Sequence, residues 1–359
     1  MGDAILSLPL IAELARHGRP IDVLVIPAVA AVYTCCANVR TVITVPFVRG
    51  KLQWSLRYRT AKSIRGRYTT AIILPNSLKS VLIPWLARIP VRRARPGEGP
   101  RRLLLTECRP LPSEVPQRKT NRPSMLEQYL GLADSGIVGA SINRMSKHRP
   151  RMTLPVNLNL EYANVSKVAP KVMQSSNLLA ICPGAEYGPA KQWPPEYFAK
   201  VANEWCARSE DHAVVILGGS NDVKISDEII EQVQCINRVA NLVNQTSLIE
   251  AFACIARARA VVSNDSGLMH AAAALGVPVV GIYGSSDPQH TPPHYHRART
   301  LWLQLSCSPC FQRCCPLGTT ACLRDLDPSR VITALNALIV PSEASPAWSL
   351  IGHRFSIRS

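Results

Sequence analysis

Apolar and polar positions along this chain alternate between two periods, one helical and one extended. Ala4, Ile5, Leu8, Ile11, Ala12 and Ala15 recur at helical spacing and stop at Gly18, which predicts an opening helix. Short apolar runs at Ile21–Ile26, Thr41–Val45 and Thr70–Leu74 read as strands, with helical stretches through Val32–Cys36 and Arg57–Ile64 between them. The loop Pro75–Ser80 leads into another helix. From Pro90 to about Pro155 the pattern dissolves into Pro, Arg and Gly, leaving one clear helix at Ser124–Leu132.

A second alternating half begins with the run Asn177–Cys182. A helix through Trp205, a strand at Ala213–Leu217 and helices at Ile225–Cys235 and Leu248–Ala256 follow. Val261-Val262-Ser263 is then a short strand, an Ala-rich helix ends at Gly276, and Val277–Ile282 is a further strand. Such alternation predicts an α/β protein of two doubly wound parallel sheets facing a central cleft. The halves divide at 1–165 and 166–341, with 342–359 as a tail. A doubly wound sheet begins with a strand near its centre, whereas this chain opens on a helix. The first strand is therefore expected to be missing, leaving a gap in the first half, and a start upstream of Met1 is expected.

Composition narrows the picture. At 359 residues and 47% apolar content, the chain has material for two cores. No run of 18 apolar residues exists for a membrane span, and Asp3 and Glu13 argue against a signal peptide, so a cytoplasmic protein is expected. The net charge of +17 points to a polyanionic partner. Nucleic acid is disfavoured, because no nucleic-acid motif is present and aromatics make up only 6%. An anionic membrane surface or phosphorylated glycolipid suits arginines crowded at Arg92-Arg93-Ala94-Arg95 and Arg101-Arg102; the alternative is a solvated basic face.

Candidate chemistry centres on Asn264-Asp265-Ser266-Gly267-Leu268-Met269-His270. A turn that opens a helix leaves first-turn N–H groups unpaired at the positive end of the dipole, so Ser266, Gly267 and Leu268 can cradle a phosphate. His270 lies one turn further in. Asp265 or Ser266 could equally be a simple N-cap. Ligands of open α/β sheets bind beyond the carboxyl ends of strands, so the loop Pro183–Pro194 with Lys191 and the loop Gly218–Asp222 should converge on the same place. Lys191 could offset a diphosphate without a metal, or be a surface lysine. Glu186 and Asp222 could hold ribose hydroxyls or serve as turn residues. Neither a P-loop nor a complete G-x-G-x-x-G occurs in the second half, which removes the strongest sign of a kinase or dehydrogenase.

Four phrases, Leu74–Ser80, Cys182–Pro194, Ser263–His270 and Tyr283–Pro288, in that order, resemble the ADP-heptose:lipopolysaccharide heptosyltransferases of glycosyltransferase family 9. The resemblance runs from residue 2 to about 340. It implies a GT-B fold with an N-terminal acceptor domain, a C-terminal nucleotide-sugar domain and inverting transfer that requires no cofactor. The implied donor is ADP-L-glycero-D-manno-heptose. The implied acceptor is the anionic heptosyl-Kdo2-lipid A inner core, met at the inner face of the inner membrane. By the same resemblance Asp3 is the catalytic base, Lys191 and the Ser266, Gly267 and Leu268 backbone stabilise charge on the departing phosphate, and Asp265 and His270 match donor-binding positions; Glu186 is added to the donor site from its place on the loop. On local pattern alone Asp3 is a helix N-cap. Two departures stand out: the family's strand and loop ahead of Gly2-Asp3 are absent, and Arg92-Arg93-Ala94-Arg95-Pro96 lacks a glycine expected after the arginines. The alternatives are a family 9 transferase with another donor or acceptor, and an N-terminally truncated, inactive binding protein.

Of twelve cysteines, seven sit in core-like segments, and Cys307, Cys310, Cys314, Cys315 and Cys322 cluster. That cluster holds enough thiols for a tetrahedral zinc site, although its second pair is not C-x-x-C. Free or packing thiols are the favoured reading, and no metal ligand is assigned.

Overall fold

A computed structural model describes residues 1–48, 50–110, 123–133, 150–154 and 164–339. The tail at 342–359 and most of the tract leading to the 165/166 division lie outside the described residues. In the second half, β6 (Asn177–Cys182), β7 (His212–Ile216), β8 (Val239–Asn241), β9 (Ala260–Asn264), β10 (Val279–Ile282) and β11 (Ala298–Leu301) form one parallel sheet of order β11-β10-β9-β6-β7-β8. These strands read as continuous apolar runs because helices cover both faces, and every residue of β9 and β10 is buried. Trp193 and Trp205 are wholly enclosed, and each indole N–H finds a carbonyl, of Leu326 at 3.0 Å and of Asn177 at 2.9 Å. Burying an aromatic side chain while satisfying its polar handle stabilises by roughly 3 kcal/mol. Chain order reverses between β6 and β9. Their carboxyl ends therefore flank the topological switch point, where ligands of such sheets bind.

The first half is built differently. β1 (Asp22–Val25) pairs only with β2 (Thr41–Thr44), while β3 (Thr70–Ile73), β4 (Val91–Ala94) and β5 (Glu107–Cys108) form a separate parallel sheet. The first half thus holds two small sheets rather than one, and all four residues of β1 are only half-buried. Side chains bridge the break. Tyr68 Oη donates to Asp22 Oδ2 at 2.6 Å, and Leu24 and Ile43 pack with Ile64, Ala71, Ile83 and Ile89.

The strands β4 and β5 correct the expectation of an irregular stretch after Pro90. Two arginines in a four-residue strand hide it from a hydropathy pattern. Arg93 is nonetheless buried, its Nε 2.7 Å from Glu107 and one terminal nitrogen 3.1 Å from the Leu132 carbonyl. Arg92 donates to the Leu104 and Ile89 carbonyls, Arg95 to those of Arg109, Pro110 and Gln128, and Arg101 is fully enclosed. These guanidinium groups satisfy backbone carbonyls that no ladder reaches. Arg93 and Arg101 are therefore withdrawn from the basic face expected of this stretch, whereas Arg102 is exposed.

The two halves meet along the head of the chain. The Gly2–Leu6 and Leu8–Ala15 helices bury Ala4, Ile5, Leu8 and Ile11 in the same cluster as Leu268, Met269, Ala271 and Ala272 of the Gly267–Leu275 helix. The Met125–Leu130 helix, closed by a Ser124/Glu127 capping box, also reaches the second half: Met125 N–H donates to the His290 carbonyl at 2.9 Å.

Candidate functional site

The Gly267–Leu275 helix follows β9 through Asp265 and Ser266, and Ser266 occupies the N-cap without a side-chain capping bond. The first-turn N–H groups consequently stay available, as the phosphate reading requires. Gly267 is pressed by the head of the chain. A Cβ there would lie 2.4 Å from Met1 Cε, so the Met1 side chain rests on the ground a phosphate would use. Gly2 is as close to the same helix, since its Cβ would stand 3.1 Å from His270 Cδ2. Asp3 follows at once and is exposed, and its charge reaches the buried Tyr33 and Tyr129. The Met1 carbonyl accepts from Ala4 and Ile5, and Ala4, Ile5 and Leu6 are buried. The exposed carboxylate of Asp3 thus follows directly on two residues that pack against the first turn of the motif helix.

Lys191 is no loose surface lysine. Its Nζ lies 2.5 Å from Asp265 Oδ2 and 5.1 Å from the Tyr187 ring centre. Asp265, nearly buried, also accepts from Ser286 Oγ at 2.6 Å. Asn264, fully buried, forms a crossbar: its Nδ2 donates to the Pro183 carbonyl at 2.6 Å and its Oδ1 accepts from Trp193 N–H at 3.1 Å. The Pro183–Pro194 loop is thereby fixed from both ends to the end of β9.

The two acids with open alternatives separate. Asp222 is spent on the backbone, accepting from Gly219 N–H at 2.8 Å, and it packs so tightly on Gly184 that a Cβ there would fall 2.3 Å from Oδ2. It holds two loops together as a turn residue. Burial pushes its carboxyl upward, with the Gly219 N–H opposing. Glu186 is exposed on the same loop as Lys191. Ser286 and Asn264 were not assigned roles from sequence. The only signal was their place inside phrases carrying the family resemblance.

His270 is buried rather than lining an open mouth, and desolvation lowers it to about 4, opposed by Asp265 and reinforced by His294 and Lys191. It is neutral in the folded protein. Between the ordinary value of 6.5 and about 4, the unfolded chain takes up a proton that the folded chain refuses. Stability is therefore lost as pH falls through that window, by up to about 3 kcal/mol. Urea unfolding at pH 7.5 and at pH 5 should show a steeper loss in the native protein than in His270→Gln. Burial lowers His294 in the same direction, so part of the slope should persist. Equal slopes in both proteins would remove His270 as its source.

A parallel sheet whose switch point carries a helix N-terminus and a fixed lysine, packed against a second α/β half, has the architecture of a GT-B glycosyltransferase. The family model for glycosyltransferase family 9 (heptosyltransferase) matches residues 57–321, and the chain belongs to that family. It is 35% identical over 352 residues to lipopolysaccharide heptosyltransferase 2 of Escherichia coli, covering 96% of this chain and 97% of that protein. It is also 35% identical to lipooligosaccharide heptosyltransferase 2 of Haemophilus influenzae, covering 74% of this chain and 75% of the relative. The fold matches the solved E. coli ADP-heptose lipopolysaccharide heptosyltransferase II with a TM-score of 0.76 at 32% identity, over 93% of this chain and 94% of that one.

Proposed function

We propose that this enzyme transfers heptose from ADP-L-glycero-D-manno-heptose to the heptosyl-Kdo2-lipid A inner core, inverting the anomeric centre without a metal. The carrying observation is that Met1 and Gly2, the two residues before Asp3, pack against the first turn of the Gly267–Leu275 helix, next to which Lys191 is held by Asp265. The acceptor hydroxyl gives its proton to Asp3 as its oxygen attacks the anomeric carbon. The bond from that carbon to the β-phosphate oxygen breaks, and ADP leaves with the electron pair. In-line geometry places base and leaving group on opposite sides of the sugar, which suits an acid on one half and an anion site on the other. The Ser266–Leu268 N–H groups and Lys191 then meet charge growing on the β-phosphate. Donor phosphates displace the Met1 side chain and compete with Asp265 for Lys191. Glu186 takes the ribose hydroxyls, and neutral His270 shapes the floor of the donor site.

The test is transfer by the purified protein across a panel of ADP-, UDP- and GDP-sugars, with heptosyl-Kdo2-lipid A as acceptor. A mass gain of one heptose with release of ADP is expected from ADP-heptose alone. Transfer only from another donor would establish a different family 9 activity.

A membrane-bound acceptor calls for a membrane-facing surface, and we place it on the Trp54–Ile64 helix at the inner face of the inner membrane. Arg57, Thr60, Ala61 and Ile64 bury one side of it, while Trp54 and Tyr58, one turn apart, are each 49% exposed beside the exposed Arg59 and Lys62. Aromatic rings and cations together suit an anionic lipid interface. Among the described residues no helix is long and apolar enough to cross a membrane. Co-sedimentation with vesicles containing anionic lipid should fall several-fold in Trp54→Ala/Tyr58→Ala, with turnover on a delipidated acceptor unchanged. Undiminished sedimentation would move the lipid contact elsewhere.

A further inference from the structure

Behind the Lys191 loop lies a cavity of about 20 Å³ lined by Ala190, Ser285 and four of the five clustered cysteines, Cys307, Cys310, Cys315 and Cys322. That volume suits a single ion or water. Cys314 is exposed and takes no part in the lining. We propose that Cys307, Cys310, Cys315 and Cys322 bind one structural zinc ion as a tetrathiolate.

Three observations beyond the count of thiols carry this. First, residues 302–320 contain no helix or strand, and so long a stretch has no ladder or core of its own to fix it. Yet it is gripped in detail. Phe311 N–H donates to the Ser285 carbonyl at 2.7 Å, the Phe311 carbonyl accepts from Tyr187 Oη at 2.7 Å, and the Arg313 carbonyl accepts from Ala190 N–H at 3.0 Å. A cross-link within the loop is the economical source of that order, as in small metal-stapled modules. Second, the Thr320 N–H points at Cys315 Sγ at 3.4 Å, the main-chain contact that supports a metal-bound thiolate. Third, Ser285 is 1% exposed, lines the cavity, and its Oγ has no hydrogen-bond partner among the described residues. Sulfurs carrying metal-ligand charge give that hydroxyl an acceptor.

The chemistry selects zinc. Three thiols from one loop and a fourth, Cys322, from the Ala321–Arg324 helix that follows it make a soft, closed set with no position left for substrate, the pattern of structural zinc rather than of a catalytic or oxygen-loving ion. Among the described residues no three such side chains stand close enough together to hold a metal ion as placed, so binding requires the four sulfurs to move in from the cavity wall as the metal replaces their protons. Transfer remains metal-independent. The ion acts on the loop whose carbonyls hold Tyr187 and Ala190, next to Lys191.

The full chain, produced with zinc in the medium and purified without chelator, should contain about one zinc per molecule by mass spectrometry. Cys315→Ser and Cys322→Ser should lose it, and Cys314→Ser should keep it. Cobalt substitution should give the sulfur-to-metal charge-transfer band and intense visible bands of a tetrahedral tetrathiolate. Chelation of the native protein should lower its Tm and open residues 302–320 to protease. That arm needs no variant, so the proposal stays testable if the serine variants fail to fold. Metal below about a tenth of an equivalent would overturn it, given how tightly such sites hold zinc. So would a disulfide among the four, or loss of zinc in Cys314→Ser as complete as in Cys315→Ser.

Discussion

Replacing Asp3 with Asn is expected to cut heptosyl transfer by about 10²–10⁴-fold, the usual contribution of a positioned general base, while ADP binds as before. The substitution preserves size and removes only the capacity to take a proton. Asp3 is exposed and makes its helical bonds through the backbone, its carbonyl accepting from Ser7 N–H at 3.1 Å, so the fold has little to lose. At most a few tenths to 1 kcal/mol of charge–dipole stabilisation at the helix start goes with it. The loss should therefore fall in kcat, with Tm and ADP affinity held. Unchanged turnover in Asp3→Asn would take the base away from the head of the chain and leave the site with an anion cradle but no partner for the acceptor hydroxyl.

The fold was legible where burial on both faces forces an apolar run, and illegible where charge is turned inward. β6, β7, β9 and β10 announce themselves because neither face meets water. β4 does not, since Arg92 and Arg93 stand in the middle of it and are paid for by Glu107 and by carbonyls of Ile89, Leu104 and Leu132. Those partners are scattered over some forty positions and enter no local window. The helix near the chain's start was legible from its apolar spacing.

Site residues divide along the same line. A turn opening a helix after a strand is a local event, so Asp265, Ser266 and Gly267 could be singled out from order alone. What each side chain does there depends on contacts far along the chain. Asp222 and Glu186 looked alike as acids on glycine-rich loops. Only the approach of Gly184 and the Gly219 N–H shows that the first is held against the backbone, while the second is exposed. Likewise nothing near Lys191 says that Asp265 will stand beside it, or that Asn264 will tie its loop down by Pro183 and Trp193.

Lys191→Met is expected to show two separable defects. Removing a preorganised cation from the developing phosphate charge should lower kcat by about 10²–10³-fold. The second defect is in stability. Asp265, with a side chain only 5% exposed, would be left with Ser286 Oγ as its side-chain partner. Stranding a buried carboxylate costs up to about 3–5 kcal/mol, less here because the Lys191 side chain is itself 17% exposed. Adding Asp265→Asn removes the stranded charge while Ser286 keeps an oxygen to donate to. Lys191→Met/Asp265→Asn should thus regain most of the lost stability in urea and none of the lost turnover. Lys191→Arg should hold the ion pair and restore stability, yet recover turnover only partly, because the broad guanidinium cannot place its charge where a compact ammonium does. If the double variant recovers turnover along with stability, Lys191 serves only to balance Asp265, and the helix N–H groups must stabilise the leaving ADP alone.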